Sequence, residues 1–134
     1  MEELRSLIGR ARQAFGRFQE LAHIEAPTAI ERDAAIQRFE FTCEIVWKAT
    51  LKAAEHEGLR AASPRASIRY ARSMGWLSDA DAQHALEMVE DRNRTVHTYA
   101  EPVAIFIFGR LPGHADVLGR WISSLSKHVE ENAG

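Results

Sequence analysis

Hydrophobic residues recur at intervals of three and four along most of this chain, which is the spacing of amphipathic α-helices. A first stripe, from Leu4 to Ala22, predicts a helix that Pro27 closes off. A second helix is predicted from about Ile30 to Glu57, before Gly58. The stripe of this second helix consists of Ile36, Phe39, Cys43, Val46, Trp47, Thr50, Leu51 and Ala54.

The second predicted helix is apolar on its far side as well. A helix that is apolar on two sides is either central in a bundle or shared with a partner chain, and the sequence leaves both possibilities open. The far-side line consists of Ala34, Phe41, Ile45 and Ala49.

Start and stop signals divide the second half of the chain. Ser63-Pro64 predicts the start of a short helix that ends near Met74, and Ser78 to Asp81 predict the capped start of the next helix. A last long helix is expected from about Pro102, although the run 102–108 would also suit a buried strand if a pairing strand existed. Pro112-Gly113 is expected to kink or interrupt this helix.

Antiparallel helices with short connections predict an all-α, up-and-down bundle of four to five helices. The chain has 134 residues and is 46% hydrophobic, so we expect residues 1–134 to form a single domain with a core of its own. The three tryptophans, Trp47, Trp76 and Trp121, are most simply core residues.

Charge and composition narrow the possible functions. The formal net charge of −2 excludes a global basic field of the kind that holds duplex DNA, so any nucleic-acid contact must be local. The basic face of the first helix is favoured as an ordinary solvated face over a nucleic-acid patch. That face carries Arg5, Arg10, Arg12 and Arg17.

Cysteine and histidine usage argues against disulfides, metals and cofactors. The single Cys43 cannot build an intramolecular disulfide framework, and its apolar surroundings predict a buried thiol. The six histidines never form a close His-x3-His pair, so no metal site and no cofactor are expected. With no apolar signal core and no apolar run near the ~20 residues that span a bilayer, a cytoplasmic protein without a membrane segment is expected.

The segment 91–103 breaks the core-building pattern. On a helical wheel Val96 falls in the apolar arc and Asp91 in the polar arc, whereas Arg92 and Asn93 lie on the apolar side. Asn93 and His97 are four residues apart and would be neighbours. Arg92 and Tyr99 would share a stripe if the helix ran that far.

An arginine on a buried face needs an anionic partner, because removing its charge from water costs several kcal/mol. For Arg92 the partner is either a carboxylate of the fold or a phosphate of a ligand, and the sequence does not choose between them. Glu40 lies near the apolar side of its own helix, where it either pairs with an arginine across the bundle or is exposed at the edge.

In combination these residues resemble the HEPN-fold nucleotidyltransferase substrate-binding proteins, also described as HepT-like toxins that partner a minimal MntA-type nucleotidyltransferase. The resemblance covers roughly residues 30–131. It is carried by Arg32-Asp33, Ile36-Gln37-Arg38-Phe39-Glu40-Phe41-Thr42, Glu44, Trp47-Lys48, Ser63-Pro64-Arg65, and Asp91-Arg92-Asn93 through His97-Thr98-Tyr99.

The resemblance implies a homodimer whose motif-bearing helices meet at one composite cleft. It further implies metal-independent endoribonuclease activity with the RNA 2′-hydroxyl as nucleophile, with Arg92 holding the phosphate, His97 transferring protons and Asn93 orienting the imidazole or touching the phosphate. Tyr99 would receive AMP from the cognate nucleotidyltransferase, which would silence the cleft. The chain departs from the family at Ala100, where asparagine is frequent, and at Cys43, where an aromatic residue is common.

Two other functions fit the same residues. In the first, the chain is a non-catalytic subunit that binds a substrate or nucleotide for a two-component nucleotidyltransferase, and Arg92 and His97 only grip a phosphate. In the second, it is a purely structural dimeric bundle. Activity on RNA separates the toxin-like function from both alternatives.

Overall fold

The computed structural model describes residues 1–132, and these residues form an all-helical bundle. Its elements are α1 (Glu2–Ala22), α2 (Ala29–His56), α3 (Pro64–Ser73), α4 (Asp79–Arg94), a 3-10 turn (Thr95–His97) and α5 (Glu101–Glu131). The predicted fold class is therefore confirmed, and the run 102–108 is helical and not a strand.

Helix boundaries follow from side chains that bond the free backbone amides at each N-terminus. Thr28 and Glu31 form a capping box at the start of α2, with Glu31 N donating to Thr28 Oγ1 (3.1 Å) and Thr28 N donating to Glu31 Oε1 (2.9 Å). The hydroxyls of Ser63 and Ser78 accept from Ala66 N and Asp81 N, both at 3.0 Å, at the starts of α3 and α4. The sequence predicted both serine caps.

The long helices α1, α2 and α5 form most of the core, and α3 and α4 close it from the other side. All three tryptophans are buried, as predicted, and so is Cys43. Burial raises the pKa of the Cys43 thiol well above its ordinary value, which keeps the thiol protonated and unreactive.

The helix α5 is not interrupted at Pro112-Gly113, so that part of the prediction was wrong. Proline removes one backbone hydrogen bond, but buried residues follow one another on both sides of Pro112. Leu111 before it and His114 and Leu118 after it are all fully buried, so packing along the whole helix outweighs the lost bond.

The sequence left open whether the far side of α2 packs inside the bundle or faces a partner chain, and the structure shows both buried and exposed residues there. Ala49 is fully buried and Ile45 packs partly against the core, whereas Phe41 is 56% exposed. The exposed part of this line is therefore free to contact a partner.

Candidate functional site

The motif segment 91–99 lies where α4 gives way to the 3-10 turn, directly before α5. Helix α4 ends at Arg94, where the hydroxyl of Thr95 bonds one of the last carbonyl groups of the helix, Arg92 O (2.7 Å). In the 3-10 turn that follows, Thr98 Oγ1 donates to Thr95 O (3.0 Å). The condition for a common stripe of Arg92 and Tyr99 is not met, because the α-helix does not reach Tyr99.

Arg92 is held by carboxylates of α2. Its Nη2 donates to Glu44 Oε1, its Nη1 lies 3.7 Å from Glu40 Oε2, and the same Nη1 donates to Thr95 Oγ1 at 3.2 Å. Of the two possibilities that the sequence left open for Glu40, the structure shows the pairing with an arginine across the bundle. Of the two partners that the sequence left open for Arg92, carboxylates of the fold are present in this structure.

This pairing is partly open to solvent. About 24% of the Arg92 side chain and 47% of the Glu44 side chain are exposed, so an incoming phosphate can reach the guanidinium and compete with Glu44. The Arg92 Nε is buried and has no hydrogen-bond partner within residues 1–132, which leaves one donor of the guanidinium uncommitted.

Arg92 and Asn93 also line a cavity of about 340 Å³. Its walls are the apolar side chains of Trp47, Leu51 and Pro64, and Lys48 and Glu44 lie at the same opening. This volume is at the lower end of the range of about 300–1,000 Å³ that small-molecule pockets occupy. Asn93 is exposed and is available to a ligand.

His97 and Tyr99 lie together on the surface. Tyr99 is 84% exposed, and its hydroxyl is 3.4 Å from His97 Nδ1, with the two ring centroids 5.9 Å apart. Within residues 1–132 no hydrogen bond joins Asn93 to His97, so the expected proximity of these two residues stays a prediction. The structure pairs His97 with Tyr99 instead.

The prediction for Asp91 was wrong. The sequence placed it in the polar arc, but its side chain is fully buried. Its carboxylate accepts from His114 Nε2 (2.6 Å), Arg110 Nε (2.7 Å) and Arg94 Nη1 (2.7 Å). Burial alone would raise the pKa of Asp91, but the hydrogen bonds from His114 and Arg110 outweigh it and the pKa is lowered.

A second histidine extends this buried network. His84 Nε2 is 2.8 Å from His114 Nδ1, so the bond between the two rings holds one proton. A Cβ at position 113 would lie 3.2 Å from His84 Cε1, and Gly113 therefore makes room for this approach. Desolvation, and next the nearby His114, lower the pKa of His84.

The network ties the base of the motif to α5, and sequence reasoning missed it. The partners of Asp91 on α5 are 19 and 23 residues away, beyond the reach of helical periodicity. One signal could have suggested its burial, because Asp91 follows the fully buried Met88 by three positions and so continues that face of α4.

The prediction for Val96 was also wrong. This residue was placed in the apolar arc, but it is 67% exposed. The change from α-helix to 3-10 turn rotates it away from the core. Ile105 and Phe106, in the first turns of α5, are 51% and 49% exposed. Close to the motif in the chain, Val96, Ile105 and Phe106 are thus exposed apolar side chains, and the guanidinium groups of Arg94 and Arg110 lie 5.6 and 5.1 Å from the Phe106 ring centroid.

The sequence matches the family described as "Nucleotidyltransferase substrate binding protein like" over residues 6–127. The chain belongs to this family. No curated protein matches the sequence.

Solved structures agree with this assignment. A crystal structure of a protein from Thermus thermophilus is 50% identical, covers 86% of this chain and 98% of its own, and superposes with a TM-score of 0.81. Two more distant structures share the fold. The first, described as the toxin-antitoxin MntA-HpeT, has 16% identity, coverage of 96% and 99%, and a TM-score of 0.78.

The second is the tri-AMPylated Shewanella oneidensis HEPN toxin in complex with MNT antitoxin. It has 16% identity, covers 93% of this chain and 96% of its own, and gives a TM-score of 0.75. The predicted HEPN-like fold is therefore confirmed.

Two further findings on the described residues concern membrane-spanning helices and metal sites. None of the helices in residues 1–132 combines the length and the hydropathy that crossing a bilayer requires. Within that range, no three His, Cys, Asp or Glu side chains converge in a way that could hold a metal ion.

Proposed function

We propose that this protein is a HepT-like HEPN toxin, a metal-independent endoribonuclease that works as a homodimer and is silenced when a cognate nucleotidyltransferase transfers AMP to Tyr99. The observation that carries the proposal is the contact between His97 and the 84% exposed Tyr99, five and seven residues beyond Arg92. The similar fold of a tri-AMPylated HEPN toxin supports it.

The proposed cleavage needs no group beyond the side chains of the motif and the RNA itself. The 2′-oxygen attacks the adjacent phosphorus while its proton passes to an imidazole, and the bond to the 5′-oxygen breaks. The departing 5′-oxygen takes up a proton, and the products are a 2′,3′-cyclic phosphate and a 5′-hydroxyl. His97 supplies the imidazole, because histidine titrates near neutral pH.

Arg92 would stabilise the negative charge that builds up on the non-bridging oxygens in the transition state. The phosphate would displace Glu44 from one side of the guanidinium and accept from the Nη2 that now donates to Glu44. Asn93, exposed at the same opening, would contact the phosphate.

Silencing would follow from the position of Tyr99. In the modification the phenol oxygen bonds to the α-phosphorus of ATP, pyrophosphate leaves, and the phenol loses its proton. The attached phosphate and nucleoside would then lie directly beside His97, where they compete with RNA for the imidazole and for Arg92.

A homodimer would cover the exposed apolar side chains of Val96, Ile105 and Phe106, which lie close to the motif in the chain. A contact there would bring two copies of His97 and Arg92 to one cleft, so that the acid and the base could come from different chains.

Purified protein should degrade single-stranded RNA in the presence of EDTA, and His97→Ala should not. The matched control is His56→Ala, which alters an exposed histidine at the end of α2, away from the motif. Equal degradation by the wild type and His97→Ala would refute the assignment.

The second candidate function is a non-catalytic subunit that binds a substrate or nucleotide for a nucleotidyltransferase. The cavity beside Arg92 and Asn93, walled by Trp47, favours it, since a flat apolar wall next to a guanidinium suits a nucleotide. Saturable binding of ATP or AMP that depends on Arg92, with no RNA degradation by the wild type, would establish this function instead.

A further inference from the structure

A groove between α1 and α2 gathers arginines around an exposed phenylalanine, and none of its lining residues belongs to the motif segment 91–99. The groove has a volume of about 420 Å³. It is lined by Arg10, Gln13 and Arg17 from α1 and by Gln37, Arg38 and Phe41 from α2.

The arginines give this groove a positive field although the chain as a whole has a net charge of −2. Arg10 and Arg17 form no ion pair with any of the residues 1–132, and both are exposed. Arg38 Nη1 donates to Arg17 O (2.8 Å) and lies 3.0 Å from Glu20 Oε2. Three guanidinium groups thus face one carboxylate, and Arg38 keeps further donors free.

The spacing of the two unpaired arginines suits a polyanion. They are seven residues apart on α1, which is two helical turns and about 10 Å along the axis. A stacked nucleic-acid strand carries one phosphate per roughly 3.4 Å, so the same face of α1 could meet two phosphates of one strand.

Phe41 adds an exposed aromatic ring to this basic groove. It is 56% exposed although it is one of the six phenylalanines of a chain with a well-filled core. Around it lie guanidinium groups and the amides of Gln13 and Gln37. An aromatic ring among cations and amides is the combination that single-stranded nucleic acids require, because bases stack on the ring while cations hold the backbone.

The groove is also close to the motif. Phe41 and Glu44 are three residues apart on α2 and are therefore neighbours on its exposed face. Glu44 is the carboxylate that holds Arg92. A strand stacked on Phe41 needs only one further helical turn to reach the guanidinium of the site.

We propose that this groove is a second contact site for single-stranded RNA, in which Arg10, Arg17 and Arg38 bind phosphates and Phe41 stacks a base. The inference rests on the proposed function in naming RNA as the ligand, but binding here does not depend on cleavage. An acidic protein surface would satisfy the charges alone, whereas the open face of Phe41 favours a base.

The test uses the His97→Ala protein, so that RNA remains intact during binding. A fluorescently labelled, mixed-sequence single-stranded RNA is titrated in EDTA at several salt concentrations, and the affinity is followed by anisotropy. The variants are Arg10→Gln with Arg17→Gln, and separately Phe41→Leu. The controls are Arg65→Gln with Arg69→Gln, two exposed arginines of α3, and Ile30→Ala, an exposed apolar side chain.

The double arginine variant should weaken binding and lower the slope of log affinity against log salt by about 1.4, since each lost phosphate contact contributes about 0.7 for single strands. Phe41→Leu keeps the apolar bulk but loses the ring, and should weaken binding by about 5- to 100-fold with an unchanged slope. The control variants should bind like the parent protein.

Three results would overturn the inference. The first is equal RNA affinity of the groove variants and the controls, including the case in which the parent protein binds no RNA. The second is loss of self-association in Phe41→Leu, measured by sedimentation, because the groove would then be a subunit contact. The third is unchanged RNA binding with lost binding to a purified nucleotidyltransferase, which would assign the groove to an acidic protein surface.

The outcome is separable from that of the proposed function. If the wild type does not degrade RNA but the groove variants lose RNA binding, the nuclease proposal fails and the groove proposal holds. If the wild type degrades RNA and the groove variants bind it as the controls do, the groove proposal alone fails.

Discussion

The two ends of the motif differ in almost every physical respect. Asp91 is fully buried and accepts hydrogen bonds from three side chains, which belong to α4 and α5. Tyr99, eight residues later, is 84% exposed, and within residues 1–132 its hydroxyl forms a side-chain hydrogen bond only with His97. The first end is built to hold the helix in place, and the second is built to meet something outside the chain.

Arg92 is intermediate between Asp91 and Tyr99 in its exposure and its pairing. It is paired with Glu44 and Glu40, as a structural residue would be, but its side chain is 24% exposed, as a binding residue needs to be. The comparison therefore predicts that substituting Asp91 lowers the stability of the protein. Substituting Arg92 should lower its activity with little loss of stability, and substituting Tyr99 should change neither as long as the tyrosine is not modified.

The largest effect on stability is expected from Asp91→Ala. It removes the shared acceptor of His114, Arg110 and Arg94 and leaves the buried His114 without its partner, which should lower the free energy of unfolding by about 3–5 kcal/mol. Urea unfolding followed by circular dichroism measures it. In the control, Glu87→Ala removes an exposed partner of Arg110 and should cost no more than about 1 kcal/mol. Equal losses in the two variants would contradict the structural role of Asp91.

Arg92→Gln should change catalysis more than folding. If Arg92 stabilises the transition state, RNA degradation in EDTA should fall by about 100- to 1,000-fold. The fold should persist, because Glu44 and Glu40 are partly exposed and can be rehydrated. Arg72→Gln, which alters an exposed pair with Asp79, is the matched control and should leave the rate unchanged. If Arg92→Gln lowers the stability of the protein but the folded fraction still cleaves RNA at the wild-type rate, Arg92 is purely structural.

A smaller effect is expected from pH, through His84. Its folded-state pKa is lowered, so the native state disfavours the charged ring. The stabilisation is complete above the ordinary histidine pKa of about 6.5 and is lost as the pH falls through the folded-state value. The free energy of unfolding should therefore decrease from about pH 8 to pH 5.

His84→Gln should remove part of this decrease, whereas His56→Gln, an exposed control, should leave it intact. Asp91 contributes a further loss only at lower pH, because its lowered pKa lies below the ordinary carboxyl value of about 3.9. An identical pH profile for the wild type and His84→Gln would contradict this account of the histidine pair.

Much of the fold could be predicted from the sequence, because stripes and caps are local signals. The serine caps of α3 and α4 and the buried tryptophans follow from spacing and residue type. The helical state of the run 102–108 followed instead from the lack of a strand with which it could pair. The uninterrupted α5 could not be predicted, since it depends on packing at both sides of Pro112 and not on the residue itself.

The sequence proposed residues for the candidate site but could not give their geometry. The resemblance named Arg92, Asn93, His97 and Tyr99, whereas a helical wheel assumes one continuous helix through all four. The α-helix ends early, at Arg94, which exposes Val96 and places Tyr99 beside His97.

The most direct test of the account is the rate of RNA degradation before and after a purified cognate nucleotidyltransferase has acted on the protein with ATP, with intact mass recorded for each sample. We predict that the wild type gains one or more AMP groups and loses its activity, while Tyr99→Phe gains none at this residue and stays active throughout. A wild-type protein that carries AMP on Tyr99 and still degrades RNA at its original rate would contradict the claim that His97, Arg92 and Tyr99 share one site.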